Sequence, residues 1–165
     1  MTPDDLGPAE VMFAAAIGQP GSRTFFVHVT AGGVPHWFVA EKSQVDALAD
    51  RSLELIHEAG HQPDVEAAAR IAKSIPSEPG QFVPRFRVES IVLRATEGRE
   101  LVTVELASVD EDDWVTFEVA PEQLLAMAGH AKEVVLAGRT LCDRCRLPID
   151  PGGHRCPSTN GHHPA

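Results

Sequence analysis

No stretch of the 165-residue sequence stays apolar for the ~20 residues that a membrane-spanning helix needs. The longest apolar runs, such as VMFAAAIG from Val11 to Gly18, are short and soon interrupted. Basic charge is scarce as well: 14 lysines and arginines stand against 24 acids, a net charge of −10. Phosphate backbones attract the opposite balance, so the composition argues against general nucleic-acid binding. The opening MTPDDLGPAE carries acids where a secretory leader would carry a basic and then an apolar segment. The expectation is a cytoplasmic protein without a membrane partner. No cysteine precedes Cys142, and an odd total of three cannot pair fully within one chain. A disulfide framework is thereby excluded. Catalytic signatures are missing too: there is no G-x-S-x-G, no H-E-x-x-H and no Walker loop.

What is present can build a core, since 43% of the residues are hydrophobic. VMFAAAI, RTFFVHVT and PHWFVA read as three strands separated by the turn formers GQPGS and TAGGVP. A helix follows over about Lys42 to Glu58, where Val45, Leu48, Ala49, Ser52, Leu55 and Ile56 share one face. Gly60 stands where a C-terminal glycine cap belongs.

The same order recurs in the second half of the chain. FVAEKSQVDALADRSLELIHEAG (Phe38–Gly60) lies over FEVAPEQLLAMAGHAKEVVLAGR (Phe117–Arg139), with Phe38 on Phe117 and Gln44 on Gln123. RVESIVLRAT, ELVTVELASV and DWVTFEVA supply three more strand-like runs upstream. The pattern predicts an α+β domain over 1–139, made from a duplicated strand-strand-strand-helix unit. Repeat one covers about 10–60 and repeat two about 84–139. The six strands form an antiparallel-rich sheet or barrel with two covering helices. The connector 61–83 begins with a short alanine-rich helix and runs on as an exposed Pro/Gly-rich segment.

Residues 140–165 form a separate tail that holds all three cysteines, spaced Cys142-x2-Cys145-x8-His154-x-Cys156-x5-His162-His163. A C-x-x-C turn points two sulfurs at one centre, and the hairpin-like LPIDPGG returns the chain beside them. The set predicts a structural zinc site of Cys142, Cys145, Cys156 and His154. His162 is the alternative fourth ligand, at looser spacing but able to reach back from a flexible end. A redox C-x-x-C pair would open a helix, and RLPID is a poor helix start. A catalytic zinc would need an open coordination position.

GQPGSRTFF (Gly18–Phe26), EKSQVDALADR (Glu41–Arg51), FRV (Phe86–Val88) and AGRTLCDRCRLPIDPGGHRCPSTNG (Ala137–Gly161) together resemble an actinobacterial family of conserved proteins of unknown function, domain-of-unknown-function family 3090. Its pattern ends like C-P-x-C-G-x-P-x-D-P-x-G-H-x-C-P-x-x-N-G-Y. That places Cys142, Cys145, His154 and Cys156 on the motif. This chain departs from it with Asp143 for proline, Arg146 for glycine and His162 for tyrosine, and the last of these favours His154 as the ligand. The resemblance implies a bacterial cytoplasmic protein. The family's genes neighbour those for a kinase-like and a histidine-phosphatase-like protein, so one of those products is a partner by association.

Other polar groups also bear on chemistry. GQPGSRTFF could cradle an anion through Ser22 and Arg23, with Arg87 or Lys42 opposite, although a hairpin turn explains its glycines as well. The acids of DEDDW lack calcium-loop spacing and fit a hairpin tip, and His28 and His36 flank one hairpin. Two function classes follow. One is a non-enzymatic, zinc-binding protein-interaction module; the other is an enzyme handling a small phosphate-bearing ligand in a cleft between the repeats, with Ser22, Arg23 and Arg87 at the anion.

Overall fold

The computed structural model describes residues 2–110, 112–137, 142–147, 149 and 153–159. Six strands and three helices follow in order: β1 (Asp4–Ile17), β2 (Thr24–Ala31), β3 (Val34–Ala40), α1 (Lys42–Glu58), α2 (Val65–Ser74), β4 (Val88–Arg94), β5 (Val102–Ser108), β6 (Trp114–Val119) and α3 (Pro121–Leu136). Among the described residues a 3-10 turn, Pro157–Thr159, lies beyond them. No helix among the described residues is long and apolar enough to cross a membrane.

The strands form one sheet in the order β3-β2-β1-β6-β5-β4. Pairing within β1–β3 and within β4–β6 is antiparallel, as short connections require. The two halves meet at a parallel seam, where Asp4, Asp5 and Pro8 of β1 pair with Val115, Thr116 and Glu118 of β6. A second parallel contact, Val39 with Arg87, joins the outer edges. There the Val39 amide donates to the Phe86 carbonyl at 3.0 Å, and the Arg85 amide donates to that of Trp37 at 2.7 Å. These bonds bring the sheet's two outer strands together at one point and curl it into a ring.

Alternation along the strands explains the core. Met12 and Ala14 of β1, Val27 and Val29 of β2, Phe38 of β3, Val102, Val104 and Leu106 of β5, and Val115 and Phe117 of β6 all point inward and are buried. The apolar stripe of α1 meets them with Val45, Leu48, Ala49, Leu55 and Ile56; α3 adds Leu124, Met127, Ala131 and Val135. Ser52, which shares the α1 stripe, is tolerated because its hydroxyl donates to the Leu48 carbonyl at 2.7 Å. α1 ends as its sequence predicts: the His61 amide returns to the Ile56 carbonyl and the Gly60 amide to that of His57, the bonds of a glycine C-cap. Gln44 binds the amide of Glu41 at the start of α1, and Gln123 does the same for Ala120 before α3.

The outer face is not the same all round. On the β5–β6 side it is polar, with Arg94 paired to Glu105 and Arg99 to Glu118. On the β1–β3 side it is aromatic. Phe13, Ala15, Phe26 and Trp37 form a second buried cluster there. The end of the connector covers it: Phe82 stacks on Trp37 with ring centroids 3.9 Å apart and planes 10° from parallel, and Ile75 packs alongside. The connector is therefore more than an exposed link. Its helix α2 also lies against α3, with Ala68 buried, so three helices accompany the sheet.

Candidate metal centre

Past α3 the described chain has almost no regular structure, and local backbone bonds shape the first knuckle. The Arg146 amide donates to the Cys142 carbonyl at 2.8 Å, and the Cys142 amide donates to that of Leu147 at 2.9 Å. These bonds turn the chain tightly enough to face Cys142 and Cys145 the same way. Closing the turn places Arg146 at φ 62°, the only left-handed non-glycine among the described residues. A β-carbon there costs on the order of 1 kcal/mol, and it stands where the resembled pattern carries glycine.

The second knuckle bends at Gly153, with φ 96°. His154 and Cys156 follow it two positions apart, a spacing that puts both on one side of an extended chain. Cys142, Cys145, His154 and Cys156 each offer one ligand atom, and the four atoms lie within 4.8 Å of one another. The Cys142 and Cys156 sulfurs are 3.7 Å apart, and the Cys145 sulfur lies 3.4 Å from His154 Nε2. With metal–sulfur bonds of about 2.3 Å and metal–nitrogen bonds of about 2.0 Å, a tetrahedron has edges of ~3.8 Å and ~3.5 Å respectively. The cluster is thus arranged to hold a metal ion. Cys142 is buried and the other three are half-buried.

The thiols differ in acidity. The Ser158 hydroxyl, 2.9 Å from Cys156 Sγ, is the main cause that pulls this thiol down to about 6, and the Ser158 backbone adds to it. At Cys145 the Leu147 backbone bond acts downward, but desolvation and the neighbouring Cys156 and Cys142 sulfurs outweigh it and leave the thiol raised. Metal binding requires thiolates, and Ser158 supports one of them. Sequence reasoning misses Ser158, which has no regular spacing from the ligands. His162 and His163 lie outside the described residues.

The residues considered for an anion are placed differently. Gly18 to Arg23 is a turn between β1 and β2, held by the Ser22 amide donating to the Gln19 carbonyl at 2.9 Å. Gly18 sits at φ 115°, and a β-carbon there would lie 2.8 Å from the Ser22 carbonyl oxygen, so the glycine serves the turn itself. Arg23 donates to the Val134 carbonyl at 2.9 Å near the end of α3 and lies over the Phe25 ring. Arg87 pairs with Glu41 at 2.8 Å. The two guanidinium groups therefore turn to different protein acceptors. Of DEDDW, residue 111 lies outside the described residues; Asp113 closes the β5–β6 hairpin, its carbonyl accepting from the Ser108 amide at 2.9 Å.

His28 and His36 separate as well. His28 is buried on the aromatic side, between Phe13 and Trp37 at 4.6 and 4.3 Å, and bonds Thr30 Oγ1 through Nε2. Burial, followed by the charge of His36, lowers its pKa to about 4. His36 bonds Arg85, which in turn pairs with Asp4. Burial and Arg85 lower His36 also, against an upward pull from Asp4.

Compared with known proteins, the chain matches the family described as "Protein of unknown function (DUF3090)" over residues 5–156. That span takes in nearly the whole ring of strands, all three helices and the four clustered ligands. No curated protein and no solved structure matches the chain.

Proposed function

The chain belongs to that DUF3090 family, and we propose that it is a non-enzymatic, zinc-stabilised protein-interaction module of the cytoplasm. The observation that carries this reading is the close grouping of Cys142, Cys145, His154 and Cys156. Three soft thiolates with one imidazole suit zinc, and four protein ligands leave no open position for substrate or water. The centre is then structural. A segment this short has little core of its own, so ligation supplies much of its folding free energy.

The body of the module is an internally duplicated unit. Supporting this, the seam pairs Pro8–Glu118 and Arg87–Val39 are related by the same offset that lays Phe38 over Phe117 in the sequence. The partner is a protein, with the kinase-like or phosphatase-like product of a neighbouring gene as the first candidate. The alternative, an enzyme with an anion-binding cleft between the repeats, loses support because Arg23 and Arg87 are engaged by Val134 and Glu41.

The test is elemental analysis of untagged protein, wild type beside Cys142→Ser and His154→Ala. About one zinc per chain in the wild type, lost in both variants, is the expected result. Wild-type protein that stays metal-free after refolding with zinc in reductant would end the structural-zinc reading.

A further inference from the structure

The metal knuckle carries cations that nothing in the described structure neutralises. Arg144 and Arg146 flank Cys145, and Arg155 stands between His154 and Cys156; all three side chains are exposed. Elsewhere most arginines are held: Arg51, Arg85, Arg87, Arg94 and Arg99 pair with carboxylates and Arg23 bonds a carbonyl, while the exposed Arg70 of α2 has no such partner among the described residues. Polarity divides the same way along the chain. Residues 138–165 hold four arginines against two aspartates, while residues 1–137 hold 10 basic residues against 22 acids.

Two further features bear on what these arginines meet. Arg146 keeps a long cationic side chain at a left-handed position that glycine would occupy without strain, and such strain is concentrated where function retains it. Leu147, next to it in sequence, is 49% exposed and adds an apolar side chain to the knuckle. Arginine together with exposed apolar surface is the composition of a protein-binding site. Nucleic acid fits less well: residues 138–165 contain no phenylalanine, tyrosine or tryptophan on which a base could stack. A membrane fits less well also, since one leucine offers little to insert.

We propose that the exposed Arg144, Arg146 and Arg155 of the metal knuckle, together with Leu147, form a docking site for a glutamate-rich segment of a partner polypeptide. Guanidinium groups grip carboxylates in a forked geometry, so the occupant is a glutamate-rich segment and a phosphorylated one is the competing outcome of the test. The inference rests on the metal reading in that ligation orders the knuckle that carries these arginines. The acidic ring repels polyanions at long range, so the site selects short acidic segments over extended ones.

Binding would be measured by fluorescence anisotropy with zinc-loaded full-length protein at low and at physiological salt. The probes are a labelled glutamate-rich peptide with one leucine, its serine-phosphorylated counterpart, a single-stranded oligonucleotide, and vesicles containing phosphatidylserine. Metal content is determined in every sample. The expected result is salt-sensitive peptide binding that weakens by about tenfold or more in Arg144→Ala/Arg146→Gly/Arg155→Ala while one zinc per chain is kept. Binding of the phosphoserine peptide alone would overturn the glutamate-rich occupant.

Equal peptide binding by wild type and triple variant, no binding to either peptide, or stronger binding to oligonucleotide or vesicle would overturn the proposal. Wild-type protein without metal that still binds peptide through the arginines would sink the zinc centre and leave the docking surface standing. Metal without arginine-dependent binding would do the reverse.

Discussion

Gln44 and Gln123, equivalent positions of the two halves, make the same pair of hydrogen bonds. Each side-chain oxygen accepts the amide that precedes its helix, from Glu41 at 2.8 Å and from Ala120 at 3.4 Å. Each side-chain nitrogen donates into the first strand of the opposite half: Gln44 to the Val88 and Glu89 carbonyls, Gln123 to that of Glu10. Glu10 and Glu89 stand at the same offset as the two glutamines. Each glutamine therefore caps a helix and pins it to the other half of the ring.

Gln44→Ala and Gln123→Ala should each destabilise the protein by about 1–2 kcal/mol, the loss of a cap together with a strand contact. Urea denaturation of the single and double variants checks this. Similar single costs support equivalent roles, and one neutral variant would contradict them.

Arg146→Gly should tighten metal binding. Removing the β-carbon relieves on the order of 1 kcal/mol of left-handed strain, less the entropy that glycine adds to the unfolded chain. Competition against a chromogenic chelator should show a gain of roughly threefold. Arg146→Ala, which keeps the strain, should show none.

Chelation should loosen the tail and spare the ring of strands. The ring's core draws on neither cysteine nor histidine from the knuckle. Far-UV circular dichroism should keep its thermal transition, while limited proteolysis after metal removal should cut first beyond α3. Simultaneous collapse of both would mean that the ring depends on the metal.

Acid should destabilise the protein through His28. Its folded pKa of about 4 lies below the ordinary histidine value of 6.5. The unfolded chain therefore takes up its proton first as pH falls, and stability drops between about 6.5 and 4 before levelling. The size is on the order of 3 kcal/mol if His28 acts alone. His36 and His130, also lowered, act in the same direction. Chemical denaturation from about pH 7.5 to about 4 should show this slope reduced in His28→Phe; an unchanged slope would assign it elsewhere.

Much of this arrangement is legible in the sequence because it rests on local rules. The α1 stripe and its Gly60 cap need only the helical period and one glycine, and α1 ends at Glu58 as that reading expects. The clustered ligands are legible too, since C-x-x-C and a second Cys/His pair are close in sequence. Choosing His154 over His162 rests on where the second knuckle returns, which spacing alone leaves open. Long-range features are hidden. β1 begins at Asp4, well before the apolar run that opens at Val11, because DDLGPAE is held by a parallel seam with β6 rather than by alternation. Phe82 reads as part of a loop, and the facing Trp37 and Phe26 on the aromatic side explain it.

The parallel seam between β1 and β6 has a consequence for the order of events during synthesis. It joins residues 4–8 to residues 115–118, so the ring cannot close until nearly all of the strands exist. Contacts this distant make folding slow, in the millisecond-to-second range for such topologies. On the ribosome, β1 to β3 emerge with both outer edges bare and with Phe13, Phe26 and Trp37 uncovered until Phe82 follows. The first half is thus the stretch most exposed to pairing with the wrong chain, and its hazard ends only when the second half arrives.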